Sequence, residues 1–150
     1  MSRRNFREKR LGDRDLAPET LMLGFGFDPE LSEGAVKIPI FLTSTFAYHS
    51  CEEGKLLFDY MSGRRTPPIG EDAGLIYTRF NNPNLQVVEE RLAVLEGAGA
   101  CAVFSSGMAA ILTSLLAVVE PGQSVMRSRP LYGGTETLFD TLLARFGVAS

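Results

Sequence analysis

At 150 residues, with 45% hydrophobic and 22% charged side chains, the chain has the composition of a globular protein long enough to bury a core, and it lies far from the polar signature of disorder. A formal net charge of -3, with no basic patch interleaved with aromatics, gives no reason to propose a nucleic-acid partner. No apolar run approaches the roughly 20 residues that span a bilayer, and the start lacks the apolar segment of a secretory signal, so no membrane contact and a cytoplasmic location are expected. From Arg3 to Asp15, Arg3, Arg4, Arg7, Lys9, Arg10 and Arg14 stand against Glu8, Asp13 and Asp15. A terminal segment of this composition reads as a solvated, mobile arm.

Up to about Gly74 no helical period is sustained, and Gly24, Gly26, Pro29, Gly34, Pro39, Gly63, Pro67, Pro68 and Gly70 punctuate the chain. So long an irregular opening is uncommon in a compact domain unless it packs on something else, so residues 1–74 are expected to form an arm lying on a partner subunit. His49, the only histidine, reads as a polar loop residue, and its isolation removes most Ser-His and Cys-His nucleophile pairs. Cys51 and Cys101 suit neither a disulfide framework nor a zinc site; Cys101, in an apolar stretch, reads as core.

Beyond Gly74 the pattern becomes regular. Asn82-Pro83 supplies a capping side chain and a proline at the first helical position, and Leu85, Val88, Leu92 and Leu95 recur at helical spacing, so a helix is expected to end at Gly97. Ala100 to Phe104 reads as a strand buried on both faces. A second helix carries Ile111, Leu115, Leu116 and Val119; a strand follows over Ser124 to Arg127, then a loop and a third helix from about Thr135 to Phe146. Gly147 to Ser150 reads as the start of a further strand. Helices alternating with short apolar strands predict parallel β/α units, with residues 75–150 forming the incomplete first part of a domain.

The chemistry gathers at three places. At Phe104-Ser105-Ser106-Gly107-Met108 a strand delivers the chain to a helix start whose free N–H groups suit an anion, although serine and glycine there also serve for simple capping. The stretch Gly97-Ala98-Gly99-Ala100-Cys101-Ala102 matches a dinucleotide-binding fingerprint by letter, but it follows a helix and opens a strand, the reverse of what that fingerprint needs. The serine pair lacks the glycine that a hydrolase nucleophile elbow requires two positions earlier. Tyr77 and Arg79, two apart in an extended segment, point to one side and suit a phosphate clamp, or else are a half-buried tyrosine and a surface arginine. Tyr132, beside Gly133 and Gly134, suits stacking on a flat ring or a place in the core.

Together, Tyr77-x-Arg79-x-x-Asn82-Pro83, Ser105-Ser106-Gly107-Met108 and Leu131-Tyr132-Gly133-Gly134-Thr135, in this order and spacing, resemble the Cys/Met metabolism family of pyridoxal 5'-phosphate (PLP) enzymes. That family includes cystathionine gamma-synthase, cystathionine lyases, methionine gamma-lyase and O-acetylhomoserine sulfhydrylase. The likeness runs from about Pro39 to the end and takes in Thr43-Ser44-Thr45-Phe46 and Leu92-Ala93-x-Leu95-Glu96-Gly97. It implies an α/β fold: an N-terminal arm plus the first part of a type I (aspartate aminotransferase-like) PLP-dependent transferase large domain. It further implies that Tyr77 and Arg79 bind the PLP phosphate of the neighbouring subunit, that Ser106, Gly107 and Met108 bind phosphate within their own subunit, the last two through backbone N–H groups, and that Tyr132 stacks over the pyridine ring. The assembly implied is a homotetramer of two catalytic dimers.

The activity implied is transsulfuration chemistry, a gamma- or beta-elimination or replacement on cystathionine, methionine or an activated homoserine, by a lyase or a synthase (transferase). Some positions depart from the family. Asn84 replaces a common threonine, which reads as neutral at a helix start; Gly134 stands where methionine gamma-lyases tend to have cysteine; the segment from about Lys55 to Gly74 is longer than in many members. The family's Schiff-base lysine has no counterpart, because Lys9, Lys37 and Lys55 all lie in the arm. No catalytic residue is therefore assigned in this chain, which alone is expected to be inactive. The alternative reading is a non-catalytic remnant or interaction fragment.

Overall fold

The computed structural model describes residues 6–68 and 74–150. Arg3, Arg4 and Gly70, singled out above, lie outside them. The chain divides into two compact units, Met1–Ala102 and Val103–Ser150.

The first unit opens with a small antiparallel hairpin, β1 (Arg10–Leu11) and β2 (Arg14–Asp15), in which Arg10 faces Asp15 and pairs with it at 3.1 Å. Helix α1 (Pro18–Gly24) and a 3-10 turn (Pro29–Ser32) follow, then α2 (Cys51–Met61) and α3 (Pro83–Glu96). Helix α1 packs on α3, and Leu21, Phe25 and Phe27 are buried on one side, Val87 and Ala93 on the other. Burying side chains of this size contributes about 1.5–3 kcal/mol each for the larger ones.

Two arginines fasten this packing. Arg91 of α3 donates to the carbonyls of Leu23 and Phe25 at 3.3 and 3.2 Å, placing a cation where the last carbonyls of α1 would lack partners. Arg7 pairs with Glu90 at 2.7 Å, and Gly26 donates its N–H to the Phe6 carbonyl at 3.0 Å. From Phe6 on, then, the basic opening is a hairpin and an ion-paired tether to α3, where a mobile arm was expected. Charge count alone does not reveal that an acidic residue 83 positions away will meet Arg7.

Helix α2 also corrects the expectation of an irregular opening. Ser50 accepts from the Glu53 N–H at 3.1 Å, and the Glu53 carboxylate accepts from the N–H of His49, a close relative of the capping box. At its far end Asp59 accepts from Arg64 at 2.7 Å, and this hydrogen bond, reinforced by the charges of Arg64, Arg65 and Lys55, holds the Asp59 carboxyl below the usual range against the opposing effect of burial.

Helix α3 starts and stops where expected, at the Asn82 cap and at Gly97 in left-handed conformation (φ 64°). The leucines that reveal it are not its buried face: Leu85, Val88, Leu92 and Leu95 are all exposed, while Val87 and Ala93 are covered.

In the second unit, α4 (Gly107–Val118) precedes α5 (Gly133–Thr137), which continues as a π-helical stretch, Leu138–Leu143. Leu138, Phe139, Leu143 and Val148 form the core, with Ile111, Leu112 and Leu115 of α4 packed against it. Gly147 (φ 78°) turns the chain back, and Ser124 and Ala149 form a parallel bridge in which Val125 donates to the Ala149 carbonyl at 2.9 Å and Ala149 to that of Gln123 at 3.0 Å. This is one step of the expected parallel pairing. The segment Ala100 to Phe104 is not assigned as a strand, and Cys101 is half-buried, not core. Apolar residues can favour an extended path, but a strand is defined by its ladder, and the named strands do not include this segment.

Two outcomes test this account. In Gly26→Ala, an L-residue would occupy φ 78° with its Cβ against the Glu90 carboxylate, so stability should fall by about 1–2 kcal/mol in urea titration, and trypsin should cut faster at Arg7 and Arg10 as the tether loosens. Asp59 has a depressed pKa in the folded chain, so its contribution is present above the unfolded value of about 4 and is lost as pH falls through the folded value. Urea midpoints at neutral and acid pH should therefore differ less in Asp59→Asn than in the parent.

Candidate functional site

Each unit presents one cluster. In the first, Thr45 and Tyr77 form an antiparallel bridge, Thr78 donates its N–H to the Ser44 carbonyl at 2.9 Å, and the Thr78 hydroxyl donates to the Thr43 carbonyl at 2.7 Å. The chain then turns, with Phe80 and Asn81 both donating to the Tyr77 carbonyl at 2.8 and 3.1 Å. The expected extended segment thus ends at Tyr77. The two side chains still meet, because the turn carries the Arg79 guanidinium over the Tyr77 ring, 5.6 Å from its centroid, and 5.2 Å from that of Phe80. Both residues are exposed, and no carboxylate pairs with Arg79 among the described residues. An exposed guanidinium against two aromatic faces is chemically able to meet an external anion. Beside it opens a mainly apolar cavity of about 370 Å³, with Phe46, Tyr48, Phe58 and Ile76 in its wall.

In the second unit, Ser106 caps α4 by accepting from the Ala109 N–H at 3.2 Å. The N–H groups of Gly107 and Met108, at the first two helical positions, find no acceptor among the described residues. A Cβ on Gly107 would meet nothing within 4 Å, and the residue is helical, so neither backbone strain nor crowding in this chain demands glycine there. Two free donors at a helix N-terminus suit an anion in charge and hydrogen-bond sense.

Met108 links this helix start to the Tyr132 loop. The Thr135 hydroxyl donates to the Met108 sulfur at 3.8 Å, and a Cβ on Gly134 would lie 3.3 Å from that sulfur and 2.8 Å from Cε1 of Tyr132. Glycine at 134 thus accommodates the Tyr132 ring, which remains 73% exposed and offers a face for stacking. This settles the choice left open above: Tyr132 is not core.

Charge reading missed the network behind this loop. The Arg127 side chain, 7% exposed, pairs with Glu136 and, at 2.6 Å, with Asp140, and stacks 4.7 Å from the Phe139 centroid. Glu136 also accepts from the Leu131 N–H at 3.0 Å, anchoring the residue before Tyr132. The acidic pair four apart on one helix, following two arginines, was the available signal. Among the described residues there is no metal-ligand cluster and no helix long and apolar enough to cross a membrane.

Comparison with known proteins adds the wider frame. The family model "Cys/Met metabolism PLP-dependent enzyme" matches residues 19–150. An L-methionine gamma-lyase of Pseudomonas deceptionensis is 36% identical over 129 residues, 86% of this chain and 30% of that protein. A homocysteine synthase of Schizosaccharomyces pombe is 32% identical over 132 residues, 88% of this chain and 28% of that protein. Among solved structures, a Campylobacter jejuni protein described as an O-acetylhomoserine (thiol)-lyase, crystallised with N'-pyridoxyl-lysine-5'-monophosphate, matches with TM-score 0.75 and 28% identity over 90% of this chain and 31% of that one. The chain spans less than a third of the length of these relatives.

Because an exposed ring can swing away from a new methyl group, Gly134→Ala should change stability by no more than about 0.5 kcal/mol while shifting the Tyr132 ring resonances in NMR spectra. A large loss of stability with unmoved resonances would mean that the ring is held rigidly.

Proposed function

This chain belongs to the Cys/Met metabolism PLP-dependent enzyme family and has the α/β, type I fold class of that family, and from this premise we propose that it carries the phosphate-binding parts of an enzyme acting on sulfur amino acids. The observation that supports this most is the start of α4, where the N–H groups of Gly107 and Met108 meet no acceptor among the described residues and Met108 contacts the Tyr132 loop through Thr135. PLP, when bound, supplies an electron sink, and the protein supplies orientation.

Gly107 and Met108 would hold the phosphate through their backbone N–H groups. The Ser106 oxygen is engaged with Ala109, which leaves its proton available for a phosphate oxygen. Tyr132 would cover the ring. Tyr77 and Arg79 would serve the phosphate of a second copy of the chain, with residues 1–74 acting as the arm and residues 75–150 as the beginning of the PLP-binding domain. In this reading the assembly is a homotetramer in which each catalytic dimer shares its two sites. The substrates would be cystathionine, methionine or an activated homoserine, undergoing elimination or replacement of the beta or gamma substituent; lyases and a synthase among the relatives support the class without selecting within it. None of the chain's own residues is assigned the proton transfers.

The test uses a polypeptide that carries this chain together with a Schiff-base lysine. Arg79→Ala removes a charge-assisted bond of about 1.5–3 kcal/mol, so PLP affinity should fall by about tenfold to a hundredfold. Mixed dimers of that variant with a lysine-less partner should regain part of the activity each has lost. Heterodimers that form and restore nothing would place Arg79 in its own subunit's site or away from the phosphate.

A further inference from the structure

We propose that Asn82 is a positioning residue for Arg79, a role separable from its function as the cap of α3; the inference rests on the reading of Arg79 as a phosphate ligand. Asn82 is 4% exposed. Its Oδ1 accepts from the Asn84 N–H at 2.9 Å, which serves the helix. Its Nδ2 faces the other way and donates to Thr78 Oγ1 at 3.1 Å and, more weakly, to the Thr43 carbonyl at 3.5 Å. Capping needs only an acceptor, which aspartate, serine or threonine also provide. The carboxamide is required by its donor side, and that side is aimed at Thr78, the residue between Tyr77 and Arg79.

Thr78 is held from several directions. Its N–H donates to Ser44, its hydroxyl donates to Thr43, and the same oxygen accepts from Asn82. Among the described residues Arg79 has no such anchor: it is exposed, and it contacts the faces of Tyr77 and Phe80. The direction in which its guanidinium leaves the chain is therefore set by the backbone of the turn, and the turn is fixed where Thr78 meets Asn82. A long cation presented in one direction loses less freedom when an anion arrives.

Asn82→Asp keeps the cap and removes the donor; Thr78→Val removes the other partner of the same bond. In the 150-residue chain, both should leave amide exchange of Gln86 in α3 unchanged while accelerating exchange at Thr78 and Phe80. Unchanged exchange at Thr78 and Phe80 would overturn the proposal. In the lysine-carrying polypeptide, Asn82→Asp should weaken PLP binding about two- to tenfold, the change expected when one rotamer-rich side chain must be ordered on binding. That loss should vanish in an Arg79→Ala background. An equal loss in both backgrounds would make Asn82 merely structural and sink the idea, as would a loss from Arg79→Ala with none from Asn82→Asp. If Arg79→Ala itself costs nothing, the phosphate reading fails instead, while faster exchange at Thr78 and Phe80 still supports the clamp.

Discussion

Side-chain amides at the start of α3 do for the first unit what neighbouring strands do in a sheet. Asn84 exchanges hydrogen bonds with both backbone groups of Phe41, each at 3.3 Å. Asn81 accepts from the Ile76 N–H at 3.2 Å and donates to the Gly74 carbonyl, and Asn82 reaches Thr43 and Thr78. Backbone groups near the interior must be paired, and extended chain without a ladder must find its partners among side chains. Asparagine suits this because one amide both donates and accepts in the geometry of a peptide group. The arm segment around residues 41–45 and the turn that shows Arg79 are held through this device.

The second unit solves a different problem, that of leaving donors unpaired. Its core of Leu138, Phe139, Leu143 and Val148 holds the packing of α4 against the α5 region, while the N–H groups of Gly107 and Met108 meet no acceptor among the described residues. Ion pairing around the buried Arg127 holds the far side of the Tyr132 loop, so an exposed aromatic ring is carried on a fixed support. The Arg127 side chain is covered while its partners Glu136 and Asp140 keep part of their surface in solvent, so this network is less screened than the surface pair Arg10–Asp15.

Asn84 shows how a departure from a family pattern acquires meaning only in three dimensions. Beside a proline at a helix start it reads as neutral, since threonine and asparagine are both tolerated there. Folded, its amide is the bridge to Phe41, accepting through one atom and donating through another, an arrangement that matches the spacing of a peptide group.

The sequence by itself determined the helices with strong local signals: α3 from its Asn82-Pro83 start and Gly97 stop, α4 from Ser106 and its apolar run, and the family from three short motifs in order. These rest on caps and backbone preferences that act within a few residues. It also contained a signal for α2 in Ser50-x-x-Glu53, hidden by the surrounding glycines and prolines. Tertiary structure alone decided that Arg7 meets Glu90, that Thr78 is held by Asn82, and that Tyr132 is exposed beside Gly134, while Ala100 to Phe104 lies outside the named strands. Each depends on contacts beyond the local sequence, and these are fixed by packing and hydrogen-bond satisfaction that no local pattern encodes.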